Sequence, residues 1–194
     1  VSESDPKNKE AWYGLGDSRH QLQKLEPALV AFLKAAVLDP TDAEPVYQTG
    51  LIYSELGRNE DAIQQFKRVQ RINPHFPRTY YQIGRVSLRM GDLKTAQEAA
   101  EQEMKLNPNL ADSYILLAEI HMARKRFADC ASSYAQAIKL RPGSAEIYVR
   151  AADCYWRSGA LSVAENMLEL ASARESGYAE IYRVQGQIYV AKSD

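Results

Sequence analysis

Apolar positions along this chain fall in steps of three and four, and no stretch sustains the alternation of a half-buried strand. The segment NEDAIQQFKRVQRI at 59–72 shows the rule. Ala62, Ile63, Phe66, Val69 and Ile72 share one face if that segment is helical. Upstream, DAEPVYQTGLIYSEL predicts a second helix. Gly57 stands between the two and suits the left-handed residue that closes a helix. Pro74 cannot continue the helix before it, and Asn73 beside it favours a turn. The pattern predicts a pair of helices joined by a tight turn.

The pair recurs. Prolines stand at Pro6, Pro40, Pro74, Pro108 and Pro142, each 34 residues after the last. Gly16, Gly50 and Gly84 keep the same step, as do Gly57, Gly91 and Gly159, with Lys125 in the one vacant place. Small residues follow at Ala28, Ala62, Ala96, Cys130 and Ala164. A bulky series runs Trp12, Val46, Tyr80, Tyr114, Tyr148 and Tyr182. Registers this numerous establish an internal repeat of helix pairs, each needing its neighbours to bury its apolar face.

The repeats resemble the tetratricopeptide repeat, whose pattern is W-x2-L-G-x2-Y, then A-x3-F, then P. Residues 9–42 carry Trp12, Leu15, Gly16, Ala28, Phe32, Ala35 and Pro40, with Arg19 in the Tyr position. Residues 43–76 carry Gly50, Tyr53, Ala62, Phe66 and Pro74. Residues 77–110 carry Tyr80, Ile83, Gly84, Ala96 and Pro108, with Ala100 and Glu103 departing from the pattern. Residues 111–144 place Ala118, His121 and Cys130 in the Gly, Tyr and Ala positions and keep Tyr134, Ala137 and Pro142. Residues 145–178 carry Tyr148, Ala152, Tyr155, Ala164, Leu168 and Ala171, with Ser176 for Pro. The resemblance implies an all-α fold, a right-handed α-solenoid of stacked antiparallel helix pairs with five full repeats. Residues 1–8 would end a preceding repeat or form a linker. Residues 179–194 would be the first helix of a sixth repeat or a capping helix.

Charge narrows the function classes. With 24 Lys and Arg against 25 Asp and Glu, the net charge of −1 argues against a nucleic-acid binder. No run approaches the length of a membrane span, and the polar, acidic start VSESDPKNKE is no signal peptide. Cys130 and Cys154 are too few for a disulfide framework, so free structural thiols and a cytoplasmic location are expected.

Reactive constellations are missing from the sequence. His20, His75 and His121 lie in three different repeats without metal-ligand spacing, and His121 is expected to be a satisfied core histidine. GLG at 14–16 lies inside a helix rather than after a strand, so it is no dinucleotide fingerprint. Neither catalysis, nor a metal, nor a cofactor is expected.

The resemblance places the first helix of each pair along a concave groove. The residue after each Trp12-type position is Tyr13, Tyr47, Tyr81, Ile115, Val149 or Arg183. One turn further come Asp17, Leu51, Arg85, Glu119, Asp153 and Gln187, then Gln21, Glu55, Arg89, Ala123, Arg157 and Ala191. Candidate partner-binding residues are therefore Tyr13, Asp17, Tyr47, Leu51, Tyr81, Arg85, Arg89, Ile115, Glu119, Val149, Trp156 and Arg157. The competing role is packing between adjacent first helices. Tyr81, Arg85 and Arg89 form a stripe suited to an acidic segment in the third repeat. Chaperone C-terminal tails are not expected as ligands, because no three consecutive first helices carry the family's Lys/Asn, Asn, Lys/Arg clamp. The expected function is a non-catalytic scaffold that holds a protein or peptide segment in its groove. Two alternatives are a targeting or regulatory region of a larger enzyme or assembly, and self-association through the terminal helices around AEIYRVQGQIYVA.

Overall fold

The structure is a computed structural model that describes residues 7–193; the side chains of Ala191 and Ser193 are not described. The segment 1–6, with Pro6, and Asp194 lie outside the described residues, as does the Ala191 side chain expected at the far end of the groove series. Eleven α-helices and no strand occur among the described residues. In order they are α1 Lys9–Gln21, α2 Leu25–Leu38, α3 Ala43–Glu55, α4 Asn59–Ile72, α5 Thr79–Arg89 and α6 Leu93–Leu106. They continue as α7 Ala111–Ala123, α8 Phe127–Leu140, α9 Ala145–Arg157, α10 Leu161–Ser172 and α11 Ala179–Ser193. The chain divides into two compact units, Val1–Ala99 and Ala100–Asp194, with the boundary inside α6.

Local chemistry sets the helix ends. The Asn8 side chain accepts from the Ala11 amide at 2.9 Å and caps α1, and Asp42 does the same for Glu44 at the start of α3. At the turn within each pair, one residue adopts a left-handed backbone: Gln23 (φ 58°), Gly57 (75°), Gly91 (78°), Lys125 (57°) and Gly159 (88°). These five positions keep the 34-residue step, so Gln23 and Lys125 occupy a conformation that glycine adopts at lower cost.

In the first unit, α1 packs on α2, α2 on α3, α3 on α4 and α4 on α5. Gly16 and Gly50 permit the closest approaches. A Cβ added to Gly16 would stand 2.8 Å from the Phe32 ring, and one at Gly50 would stand 2.7 Å from Phe66. Both phenylalanines are fully buried, each worth about 1.5–3 kcal/mol of burial. Ala28, Leu29 and Ile52 gather around Phe32, and Ala62, Ile83 and Val86 around Phe66. The second unit packs α7 on α8, α8 on α9, α9 on α10, and α11 against both α9 and α10. Its core collects Tyr134, Tyr148, Leu168, Ile181 and Val184. Glu103, one of the two departures in the third repeat, is buried and accepts from Asn107 at 2.7 Å.

The bulky series does not share one environment. Val46 is fully buried between Ala36 of the preceding helix and Val69 of its own pair. Tyr148 is likewise buried, whereas Trp12, Tyr80 and Tyr114 are half-buried and Tyr182 is 61% exposed.

The cysteines overturn the expectation of free thiols. Cys130 on α8 and Cys154 on α9 are joined in a disulfide, with Cα atoms 5.8 Å apart. Their registers explain the pairing. Cys130 follows Ala28 and Ala62 by the repeat step, and Cys154 follows Ile52 and Val86. Ala28 shares a cluster with Ile52, and Ala62 with Val86. The two cysteines thus replace a small–large contact between neighbouring pairs. The reasoning from thiols to a cytoplasmic location falls with the thiols. Among the described residues no helix is long and apolar enough to cross a membrane.

Candidate functional site

In the first unit, α1, α3 and α5 carry Tyr13, Tyr47 and Tyr81 at one register, and all three rings are half-buried. Tyr13 meets Phe32 edge-on at 5.5 Å, and its hydroxyl donates to Glu44 Oε1 on α3 at 3.1 Å. Gln48 donates to the same oxygen at 2.8 Å. Burial first, then the Glu44 charge, pushes the Tyr13 hydroxyl up to about 12, so it remains a neutral donor. Tyr47 packs on Phe66 at 5.6 Å and Phe76 at 5.0 Å, and accepts from Gln82 on α5 at 3.4 Å. Both side chains therefore brace one first helix against the next while keeping part of the ring at the surface.

Tyr81 is set among cations instead. The Arg78 and Arg85 guanidinium groups lie over its ring at 4.8 and 5.9 Å. Arg89, one turn beyond Arg85, donates to Ser54 Oγ on α3. Burial, then the Arg85 charge, lowers the Arg89 pKa. Neither Arg85 nor Arg89 makes an ion pair among the described residues. Leu51 packs against the Phe66 cluster, and the exposed Asp17 accepts from Gln21 at 3.0 Å.

The second unit is built differently at the matching registers. Two depressions of about 440 and 360 Å³ share Glu119, Tyr134, Glu146 and Arg150; Val149 lines the first and Ile115 the second. Arg150 donates to Glu119 at 3.1 Å and to Glu146 at 2.9 Å. Tyr134 sits buried beside them, its hydroxyl pushed up to about 12 by burial and then by the Glu119 charge. Val149 is only 3% exposed and belongs mainly to the core. Trp156 and Arg157 both donate to Asp153, at 3.0 and 2.8 Å. Arg157 also lies 5.7 Å from both the Phe127 and the Trp156 ring centres.

The candidates thus separate into a cationic surface on α5 and an internally paired one on α9. Glu146, Arg150 and Tyr134 are not among the sequence candidates, although Glu146 and Arg150 at a spacing of four were a legible ion-pair signal. Among the described residues, no group of three or more His, Cys, Asp or Glu is placed to hold a metal ion. His20 contacts Glu55 at 2.9 Å. His121 is buried as expected, but its Nδ1 has no hydrogen-bond partner among the described residues, and burial lowers its pKa. It is a core histidine that is not fully satisfied.

Two family models match the chain. Residues 10–125 match the second ARM domain of tetratricopeptide repeat protein 21, and residues 124–188 match a tetratricopeptide repeat model. No curated protein matches the chain in sequence. Among solved structures, the fold is similar to MamA 41-end from Desulfovibrio magneticus RS-1, with a TM-score of 0.80 at 20% identity, covering 88% of this chain and 96% of that one. It is also similar to PilW, a widely conserved type IV pilus biogenesis factor (TM-score 0.83, 19% identity, 95% and 86% covered). A third similar structure is YrrB, described as a TPR protein with an unusual peptide-binding site (TM-score 0.75, 19% identity, 95% of each chain covered).

Proposed function

Because the chain belongs to the tetratricopeptide repeat family, we propose that it is a non-catalytic scaffold that binds a protein segment on the first-helix face of its repeats. YrrB supports a peptide ligand as a use of this fold. The observation that carries the reading is the contrast between the arginines of α5 and those of α9 and α11. Arg150, Arg157 and Arg183 are each held by a carboxylate of their own unit. Arg85 lies over Tyr81 and Arg89 stands one turn further on, bonded to Ser54; neither makes an ion pair among the described residues. Two like charges held together are relieved by an incoming anion, and guanidinium groups suit carboxylates in paired geometry. The bound segment is acidic where it crosses α5, with Tyr81 as its aromatic anchor.

Tyr13 and Tyr47 contribute ring surface at the same register, but their hydroxyls already join neighbouring helices. Tyr81→Ala is expected to weaken a fluorescein-labelled acidic peptide, selected for binding to the full chain, by about tenfold, or about 1.4 kcal/mol. Tyr13→Ala is expected to lower Tm with a smaller effect on affinity. Fluorescence anisotropy and thermal melts of both variants check this. Full affinity in a folded Tyr81→Ala variant would remove α5 from the site.

A further inference from the structure

The second helix of each pair buries one side and turns the other to solvent, and α2 differs from its counterparts on that outer side. On α4 it carries Gln64, Lys67 and Arg71, all exposed. On α10 it carries Asn166, Glu169 and Ala173, again all exposed. The same registers on α2 hold Val30, Leu33 and Val37, and no other second helix has three large apolar residues there. Val30 is 49% and Val37 74% exposed, and steps of three and four put all three on one face. Further stacking of pairs does not account for this face. The α1–α2 pair precedes α4 and α5 follows it, yet Gln64, Lys67 and Arg71 stay exposed. The α7–α8 pair precedes α10 and α11 follows it, with the same result. A pair stacked ahead of α1 in this manner would leave Val30 and Val37 open. A contiguous apolar stripe at positions that are otherwise polar marks a contact surface.

We propose that the outer face of α2 pairs with the same face of a second copy of this chain, the two helices antiparallel about a two-fold axis at Val30. Charge identifies the occupant. Glu26 and Lys34 stand four residues to either side of Val30 and share its side of the helix. About that axis each Glu26 lies level with Lys34 of the other copy, so the face is self-complementary and gains two ion pairs. Neither residue makes an ion pair within its own chain among the described residues; Lys34 lies over the Trp12 ring at 3.9 Å. Arg58, which feels the Glu26 charge, is held by Asp61 at 2.9 Å. A bilayer surface would call for a basic border around the stripe, whereas Glu26 and Lys34 cancel. One helix crossing buries less than the about 1,200–2,000 Å² of a stable interface, so the dimer forms at micromolar concentrations or above. The face lies on a second helix and does not depend on the α5 surface.

Sedimentation equilibrium of the full chain between about 1 and 300 µM should show a monomer–dimer equilibrium. Val30→Glu and Val37→Glu, both at exposed positions, should weaken it at least about tenfold while circular dichroism stays at the parent level. Glu26→Lys and Lys34→Glu should each weaken it about threefold, and the double variant Glu26→Lys/Lys34→Glu should restore it. Loss of apolar packing alone would give no such rescue. A parent chain that stays monomeric, undiminished association of a folded Val30→Glu variant, or a double variant without rescue would overturn the proposal. So would a dimer that Tyr189→Glu dissociates, since α11 would then be the interface.

Discussion

Phe66 decides what residue 50 can be. Its ring atoms lie 2.7–3.0 Å from where a Cβ on Gly50 would stand, and the ring is fully buried. Gly50→Ala gains about 1 kcal/mol of helix propensity but overpacks the α3–α4 contact, which costs about 1–3 kcal/mol. Gly186→Ala gains the propensity with open space around it. Chemical denaturation should therefore show Gly186→Ala more stable than the parent and Gly50→Ala equal or less stable. Register was legible in the sequence where the repeat supplied a comparison, but burial did not follow from it. Tyr80 and Tyr81 fall in different registers and both are half-buried, with the Arg78 and Arg85 guanidinium groups over the Tyr81 ring. Val149 shows the limit: the register of Tyr13 does not make a smaller side chain reach the surface, and it sinks into the core.

Helix pairs were legible because the same steps of three and four recur with the same glycine and proline punctuation. Lys125 already stood in the vacant place of the glycine series, while the punctuation hid the turn closed by Gln23. Gln23 and Lys125 hold left-handed backbones at the register of Gly57, Gly91 and Gly159. An L side chain costs about 1–2 kcal/mol in that conformation, partly offset by the greater unfolded-state freedom of glycine. Lys125→Gly and Gln23→Gly should each raise stability by about 0.5–1 kcal/mol, measured by denaturant midpoint. The Cys130–Cys154 bond was hidden for another reason. Counting cysteines treats them as a framework, while the relevant fact is that their two registers already touch in other pairs. Thiol titration of the unfolded, unreduced protein should find no free thiol, and reduction should cost about 3 kcal/mol for a 24-residue separation.

At the scale of the molecule, a near-neutral net charge conceals a local asymmetry. The arginines on α9 are held by Glu119, Glu146 and Asp153, so their charge is spent within the second unit. On α5, Arg85 sits beside Tyr81 and Arg89 beside Arg85. Composition could not show this, because pairing depends on which helices face one another. The repeat set the registers, and the structure separates arginines held in ion pairs from Arg85 and Arg89, which make none among the described residues. The most direct test compares an acidic peptide with its Gln-substituted twin by anisotropy, at salt concentrations between about 0.05 and 0.3 M. The acidic peptide should bind at least about tenfold more tightly at low salt, and Arg85→Gln/Arg89→Gln should abolish that preference while Arg157→Gln preserves it. Equal binding of the two peptides, or a preference that survives loss of both α5 arginines, would contradict the assignment of α5 as the acidic-segment surface.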